Sequence, residues 1–237
     1  MEKKVILITG ASGGMGKEIT KWFNTDQYKL ILHYHLNPVD LEASDSVFHV
    51  QADLRQEKQI TEMVDAALKY FGRIDILINN AGISKSTMSW KTDYDAWKET
   101  LAINLDAPFL LSKAVIPSMR SNNFGKIINI SSVVAQTGAI GTAAYAASKA
   151  GLIGLTKTLS KELALNNISV NALALGYFKI GMIDDVPKEL QETIIQTIPK
   201  KELGNPSAVC KTIEWLISDE AEYVTGQVIN LNGGMYA

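Results

Sequence analysis

Cysteine is nearly missing from this 237-residue chain: Cys210 is the only one. That excludes an internal disulfide, and with just three histidines beside it no metal site is expected. Charge of one sign is equally scarce. Lys and Arg number 23 against 25 Asp and Glu, a net charge of -2, which offers no electrostatic footprint for nucleic acid or an anionic membrane. No stretch approaches the roughly 18 consecutive apolar residues of a membrane-spanning helix. The first apolar run, Val5 to Ile8, is too short for a secretory signal and lacks its cleavage pattern. A reduced, cytoplasmic setting is the resulting expectation. Repeats, low-complexity tracts and linker-like segments are missing too, so residues 1–237 read as one domain, a routine size for an α/β sheet.

What the chain does have is alternation. Val5–Thr9 is an unbroken apolar run, as expected of a strand buried on both faces. Further strands are expected at Leu30–His35, Val47–Val50, Ile74–Ile78, Lys126–Ile130, Ile168–Leu175 and Gln227–Leu231. Helical spacing predicts helices over Lys17–Asn24, Gln56–Phe71, a long stretch Tyr94–Met119 broken or kinked at Pro108 and Pro117, a helix from Tyr145 to about Asn166, and Pro206–Ser218. Leu36–Ser46 leaves little room for a crossover helix. The loop before Tyr145 reads as irregular, and Tyr177–Lys201 as a flap with a short helix opening at Pro187. Strand and helix in turn imply one seven-stranded, doubly wound parallel sheet with helices on both faces.

Three local features carry chemistry. The first is Thr9-Gly10-Ala11-Ser12-Gly13-Gly14-Met15-Gly16, a glycine-rich turn between a strand and a helix. Such a turn presents backbone N–H groups and a helix N-terminus to a pyrophosphate, although it also serves as a plain tight connection. The second is Asn79-Asn80-Ala81-Gly82 at the end of the fourth strand, a ligand-facing position or an Asn-rich turn. The third is Tyr145-Ala146-Ala147-Ser148-Lys149, which sets a phenol and an ammonium one helical turn apart. A cation beside a phenol of pKa about 10 stabilises the phenolate and makes the pair a candidate acid/base. Taken alone, the spacing is equally that of a half-buried tyrosine and a solvated lysine. Asn104, set among Ala102, Ile103 and Leu105, reads as a buried hydrogen-bonder. Cys210 reads as core, and Asp184, Asp185, Lys200 and Lys201 as solvated loop charges.

In order and spacing these motifs resemble the short-chain dehydrogenase/reductase family over essentially the whole chain. The resemblance implies a Rossmann-type fold and hydride transfer between a nicotinamide cofactor and a carbonyl or alcohol carbon. It makes Tyr145 the proton donor and Ser132 the serine thirteen residues before it that bonds the same oxygen. Lys149 would lower the tyrosine pKa and hold the nicotinamide ribose, and Asn104 would anchor a relay water. Cofactor contacts implied are Gly10, Ser12, Gly13, Gly14, Met15, Gly16, His35, Asp53, Leu54, Asn80, Ala81, Gly82, Tyr145, Lys149 and Gly176. The second strand ends His33-Tyr34-His35-Leu36-Asn37 with no acid to repel a 2′-phosphate, so NADP(H) is favoured with NAD(H) open.

Within the family the chain is most similar to the 3-oxoacyl-[acyl-carrier-protein] reductases of fatty-acid synthesis, through Ser131-Ser132-Val133-Val134, the Tyr145 region and the tail Asn230–Tyr236. Four positions depart from that pattern: Leu175 stands before Gly176 in place of proline, Ile180 replaces a threonine, and Asn123 and Asn166 replace basic residues. The departures imply a looser cofactor loop and count against an acyl carrier protein as partner. A reductase of another ketone, a sugar, steroid or secondary-alcohol dehydrogenase, and a non-catalytic dinucleotide-binding protein stay open. The resemblance also implies a homotetramer. Substrate contacts are expected in Ser84–Trp90, Gln136–Thr142 and Tyr177–Ile198.

Overall fold

The strands of the computed structural model are β1 (Lys4–Ile8), β2 (Tyr28–Tyr34), β3 (Val47–Gln51), β4 (Ile76–Asn79), β5 (Gly125–Ser132), β6 (Ile168–Leu175) and β7 (Val228–Leu231). They form a single sheet in the order β3-β2-β1-β4-β5-β6-β7, every neighbouring pair parallel. The structure describes residues 3–184 and 186–237; Met1, Glu2 and Asp185 lie outside them.

Parallel pairing requires crossovers on the faces, so central strands are buried from both sides. Val5, Ile6, Leu7 and Ile8 are accordingly almost fully enclosed. Alternate residues divide between two cores. Val5, Leu7 and Ile31 pack with α2 (Glu57–Phe71), α4 (Ala107–Ser121) and the end of α6 (Ala143–Leu163). Ile6, Ile8, Leu30 and Leu32 pack with α1 (Gly14–Phe23) and α8 (Pro206–Ile217) on the other side. Gly72, in the left-handed region at φ 80°, ends α2. Residues 35–46 join β2 to β3 without a helix, as their length requires.

Two local expectations are corrected. The stretch from Tyr94 is not broken by its prolines: α3 (Tyr94–Leu101) passes into a π-helical turn, Ala102–Asp106, and then into α4. Pro108 stands in the first turn of α4, where a missing N–H is harmless, and Pro117 is carried inside that helix. The loop before Tyr145 contains a short helix, α5 (Val134–Thr137). As expected, Asp184 is an exposed loop charge; it accepts a hydrogen bond from the Gly181 N–H at 2.9 Å. In the flap segment, α7 (Lys188–Thr197) follows Pro187, and Phe178, Ile183 and Ile198 are buried.

Candidate active site

The strand order reverses at β1, between β2 and β4, and open α/β sheets bind ligands at the C-terminal strand ends of such a switch point. The glycine-rich turn begins there. Gly10 has φ +63°, and a Cβ on it would come within 3.0 Å of the Ala81 Cα, so the turn and the Asn80–Gly82 segment meet closely enough to demand glycine. Thr9 and Asn80 lock the two together. Thr9 Oγ1 accepts from the Asn80 and Ala81 N–H groups, each at 3.0 Å, and Asn80 Nδ2 donates to the Thr9 carbonyl at 2.8 Å and to that of Gly10 at 3.2 Å. The Asn80 side chain is thus a clamp on the turn. Ser12, Gly13, Gly14 and Met15 are open to solvent in part or whole, while Gly16 is buried where α1 leaves the turn. Gly176 ends β6, its N–H bonded to the Leu231 carbonyl at 2.8 Å. The loop beyond it reaches back across the sheet, and a Cβ on Gly14 would lie only 2.6 Å from the Gly181 Cα.

At the adenine end of the expected cofactor path, Leu54 points its side chain into the core, which leaves only its backbone for a ligand. Asp53 carries a bidentate ion pair with Arg55, whose hydrogen bonds hold the carboxyl down at about 2. Arg55 also pairs with Glu99 at 3.0 Å, and Glu99 with Lys85. His35 is exposed, and its carbonyl accepts from Gln51 Nε2 at 2.7 Å.

The four polar residues expected to act together do converge. Ser132 is the last residue of β5, and Tyr145 and Lys149 lie in the first turns of α6. Ser132 stands close enough to Tyr145 to favour the ionised phenol against the effect of burial. Ser132 Oγ accepts from the Val134 N–H at 3.2 Å. Lys149 Nζ donates to the Ile130 carbonyl at 2.8 Å and lies 5.8 Å from the centroid of the Tyr145 ring. A Cβ on Gly82 would stand 3.2 Å from Asn104 Oδ1 and 3.3 Å from Lys149 Nζ, so both groups border one point beside the turn.

Asn104 sits in the π-helical turn, fully buried. Its Oδ1 accepts from the Ile83 N–H and its Nδ2 donates to the Ile83 carbonyl, both at 2.9 Å, with a further bond to Ser148 Oγ at 3.1 Å. Ser148 Oγ donates in turn to the Tyr145 carbonyl at 2.7 Å. One side chain therefore fixes the loop after β4 and the helix carrying the tyrosine.

The electrostatics differ from the simple picture of a lysine-lowered phenol. Burial pushes the Tyr145 hydroxyl above its ordinary value, and the nearby Ser132 side chain opposes this without reversing it. Burial also drives Lys149 down to about 8. Its ammonium points to the Ile130 carbonyl, so desolvation outweighs any stabilisation of phenolate. Three contributors were not foreseen: Thr9, Ser148 and His33. Hydroxyl residues beside a glycine turn or inside a helix are too common to single out by pattern, and a histidine within a strand gives no local signal of what lies across it.

A family model described as Enoyl-(Acyl carrier protein) reductase matches residues 10–236. Among curated proteins, the 3-oxoacyl-[acyl-carrier-protein] reductase of Thermotoga maritima is 39% identical, covering 99% of this chain and 98% of its own. That of Buchnera aphidicola is 38% identical over 99% and 98%, and that of Staphylococcus epidermidis 35% over 98% and 99%. With the parallel sheet and the glycine-rich turn at its switch point, these matches establish that the chain belongs to the short-chain dehydrogenase/reductase family.

Proposed function

We propose that the protein is an NADPH-dependent ketoreductase that reduces a 3-oxoacyl thioester to the 3-hydroxyacyl thioester. The observation that carries this reading is the grouping of four polar residues near the glycine-rich turn: Asn104 and Lys149 border Gly82, the Lys149 ammonium lies 5.8 Å from the Tyr145 ring centroid, and Ser132 neighbours Tyr145. A binding protein has no use for all four. The turn suits a dinucleotide, since partly open backbone leads into α1, whose first turn carries no acidic residue, and a helix N-terminus favours an anion. Gly10 to Gly16 would hold the pyrophosphate; Asp53, the Leu54 backbone, Ala81 and Gly82 would border the adenosine, and Gly176 the nicotinamide. Bound there, the nicotinamide supplies the hydride that reduces the carbonyl carbon.

The chain's own residues supply the proton and the alignment. Burial keeps Tyr145 protonated at neutral pH, the form needed to protonate the oxygen of the reduced carbonyl. Ser132, beside the tyrosine, orients the same oxygen. Lys149 would hold the ribose hydroxyls with its ammonium. Pro108 lacks the N–H that would donate to the Asn104 carbonyl in an α-helix. The Asn104 carbonyl is therefore suited to anchor a water that returns a proton through Lys149. The exposed strand end at His35, without a carboxylate, accommodates a 2′-phosphate and favours NADPH over NADH.

For the substrate, Met88, Trp90, Ile140, Met182 and Leu190 are exposed apolar residues on the loops following β4, β5 and β6. The first two loops are joined by the Thr87 N–H to the Gly141 carbonyl at 2.8 Å. Apolar loops above a polar centre suit an acyl chain. Asn123 and Asn166, being uncharged, give an acidic carrier protein little to dock on, so thioesters of coenzyme A are expected to serve as well. Assembly as a homotetramer and a cytoplasmic setting belong to the same reading; among the described residues no helix is long and apolar enough to cross a membrane. Loss of NADPH absorbance with 3-oxoacyl thioesters, enoyl thioesters and simple ketones tests the proposal. Fastest turnover on a 3-oxoacyl thioester is expected; turnover confined to enoyl thioesters, or none with the dinucleotide bound, contradicts it.

A further inference from the structure

His33 is a histidine almost wholly enclosed within β2, at 2% exposure. Its ring nitrogens have two different partners. Nδ1 accepts from the Gly10 N–H at 3.1 Å, and Nε2 lies 3.0 Å from the Ala52 carbonyl. A carbonyl can only accept, so the ring is the neutral Nε2–H tautomer, donating to Ala52 and accepting from Gly10. The backbone carbonyl of His33 takes the next amide as well, accepting from the Ala11 N–H at 2.8 Å. Two successive N–H groups at the start of the glycine-rich turn therefore end on one residue of the neighbouring strand. The same ring reaches the residue just before Asp53, so it ties the turn to the opposite end of the expected cofactor path.

We propose that His33 is a positioning residue for dinucleotide binding, setting the geometry of the glycine-rich turn through its neutral ring, so that protonation of the ring releases the turn. This rests on the reading that the turn holds the cofactor pyrophosphate. A proton on Nδ1 would set two N–H donors against each other at Gly10. That outcome is opposed by burial, which holds the His33 pKa below the usual histidine range. The surroundings carry no charge to offset it. Val50 of β3 is the register partner of His33, β1 ends beside it in Ile8 and Thr9, and α2 turns Ile60, Met63 and Val64 toward this face. His35, the residue just past the end of β2, opposes a positive charge on His33. Asp53, beyond Ala52, has its carboxylate engaged by Arg55.

Two variants and one spectrum test the proposal on the full chain. His33→Phe keeps a ring but removes both nitrogens. His33→Asn keeps an acceptor near Nδ1 that does not titrate. The dissociation constant of NADPH, followed by fluorescence at about pH 7.5, is expected to rise roughly tenfold or more in His33→Phe, as for a buried donor left unpaired. His33→Asn is expected to recover part of that loss. It should also lose less affinity than wild type as the pH is lowered below the usual histidine range, where burial places titration of the wild-type ring. Equal affinity of His33→Phe and wild type, or equal acid-side losses in wild type and His33→Asn, overturns the proposal.

The ¹⁵N shifts of the His33 ring in the free wild-type protein give a readout that needs no cofactor and no variant. The neutral Nε2–H form persisting below the ordinary midpoint of 6.5 supports the assignment, and an Nδ1–H or cationic ring at neutral pH refutes it. If wild type binds no dinucleotide, the ketoreductase reading fails, whereas the ring tautomer still decides whether His33 grips the turn.

Discussion

Lys149 Nζ donates to the Ile130 carbonyl at 2.8 Å, and among the described residues no carboxylate offsets its burial. The ammonium is thus held by a neutral acceptor, and burial lowers its pKa from 10.5 to about 8. The folded state disfavours the charged form. The associated stability is fully present above 10.5, the value of an exposed lysine, and is lost as the pH falls toward 8. Below that the fold carries a buried ammonium at a cost of about 3 kcal/mol. Because Tyr145 is pushed up rather than down, an alkaline limb of kcat/KM near pH 8 is expected to belong to Lys149. The profile of Lys149→Met, at its lower activity, should lack that limb. Urea unfolding should show the variant's advantage over wild type shrinking between neutral and strongly alkaline pH.

Asn104→Ala removes the two bonds to the Ile83 peptide and the one to Ser148. The Ile83 amide and carbonyl are partly buried, so leaving them unpaired should cost about 2 kcal/mol of stability, visible as a lowered urea midpoint with an unchanged slope. Since Asn104 also touches the turn of α6 that carries Tyr145, kcat should fall more than affinity for the dinucleotide. A variant as stable as wild type would mean that the π-helical turn is held by other contacts.

Gly14→Ala places a methyl group 2.6 Å from the Gly181 Cα. Backbone cannot rotate aside as a side chain can, so the loop after β6 must shift. The expected result is a rise in KM for NADPH of about tenfold, within the range for losing one or two ligand contacts. Steady-state kinetics at varied NADPH checks it; an unchanged KM would show that this loop does not help to hold the cofactor.

His35→Asp restores an acid at the end of β2, where His35 is exposed. A carboxylate facing a 2′-phosphate is a like-charge pair, and such pairs across an interface cost several kcal/mol. The ratio of kcat/KM for NADPH over NADH should therefore fall by at least about tenfold. Catalytic efficiencies with both cofactors decide it, and an unchanged ratio would move 2′-phosphate recognition elsewhere.

Much of this architecture is legible in the chain because the signals are local. Val5–Ile8 and Ile168–Leu175 are apolar runs of strand length, and the former is followed by a turn that only glycine allows. Tyr145 and Lys149 share a helix face by spacing alone. What could not be read depends on partners distant in sequence. The bonds from the Asn104 side chain in the π-helical turn to the Ile83 peptide and Ser148 join residues 21 and 44 positions away, which no local pattern announces. His33 meets Gly10 because the β1–β2 register brings them together. The pKa of Tyr145 is set by how deeply the site is buried, which spacing cannot convey.

The most direct test is the rate of NADPH oxidation on a 3-oxoacyl thioester by Tyr145→Phe, measured beside its dinucleotide affinity. A positioned proton donor contributes about 10²–10⁴-fold. The account predicts turnover reduced at least a hundredfold with NADPH affinity close to wild type, because the phenylalanine ring keeps the packing and loses only the hydroxyl. Turnover near the wild-type rate would contradict the assignment of Tyr145 as the proton donor.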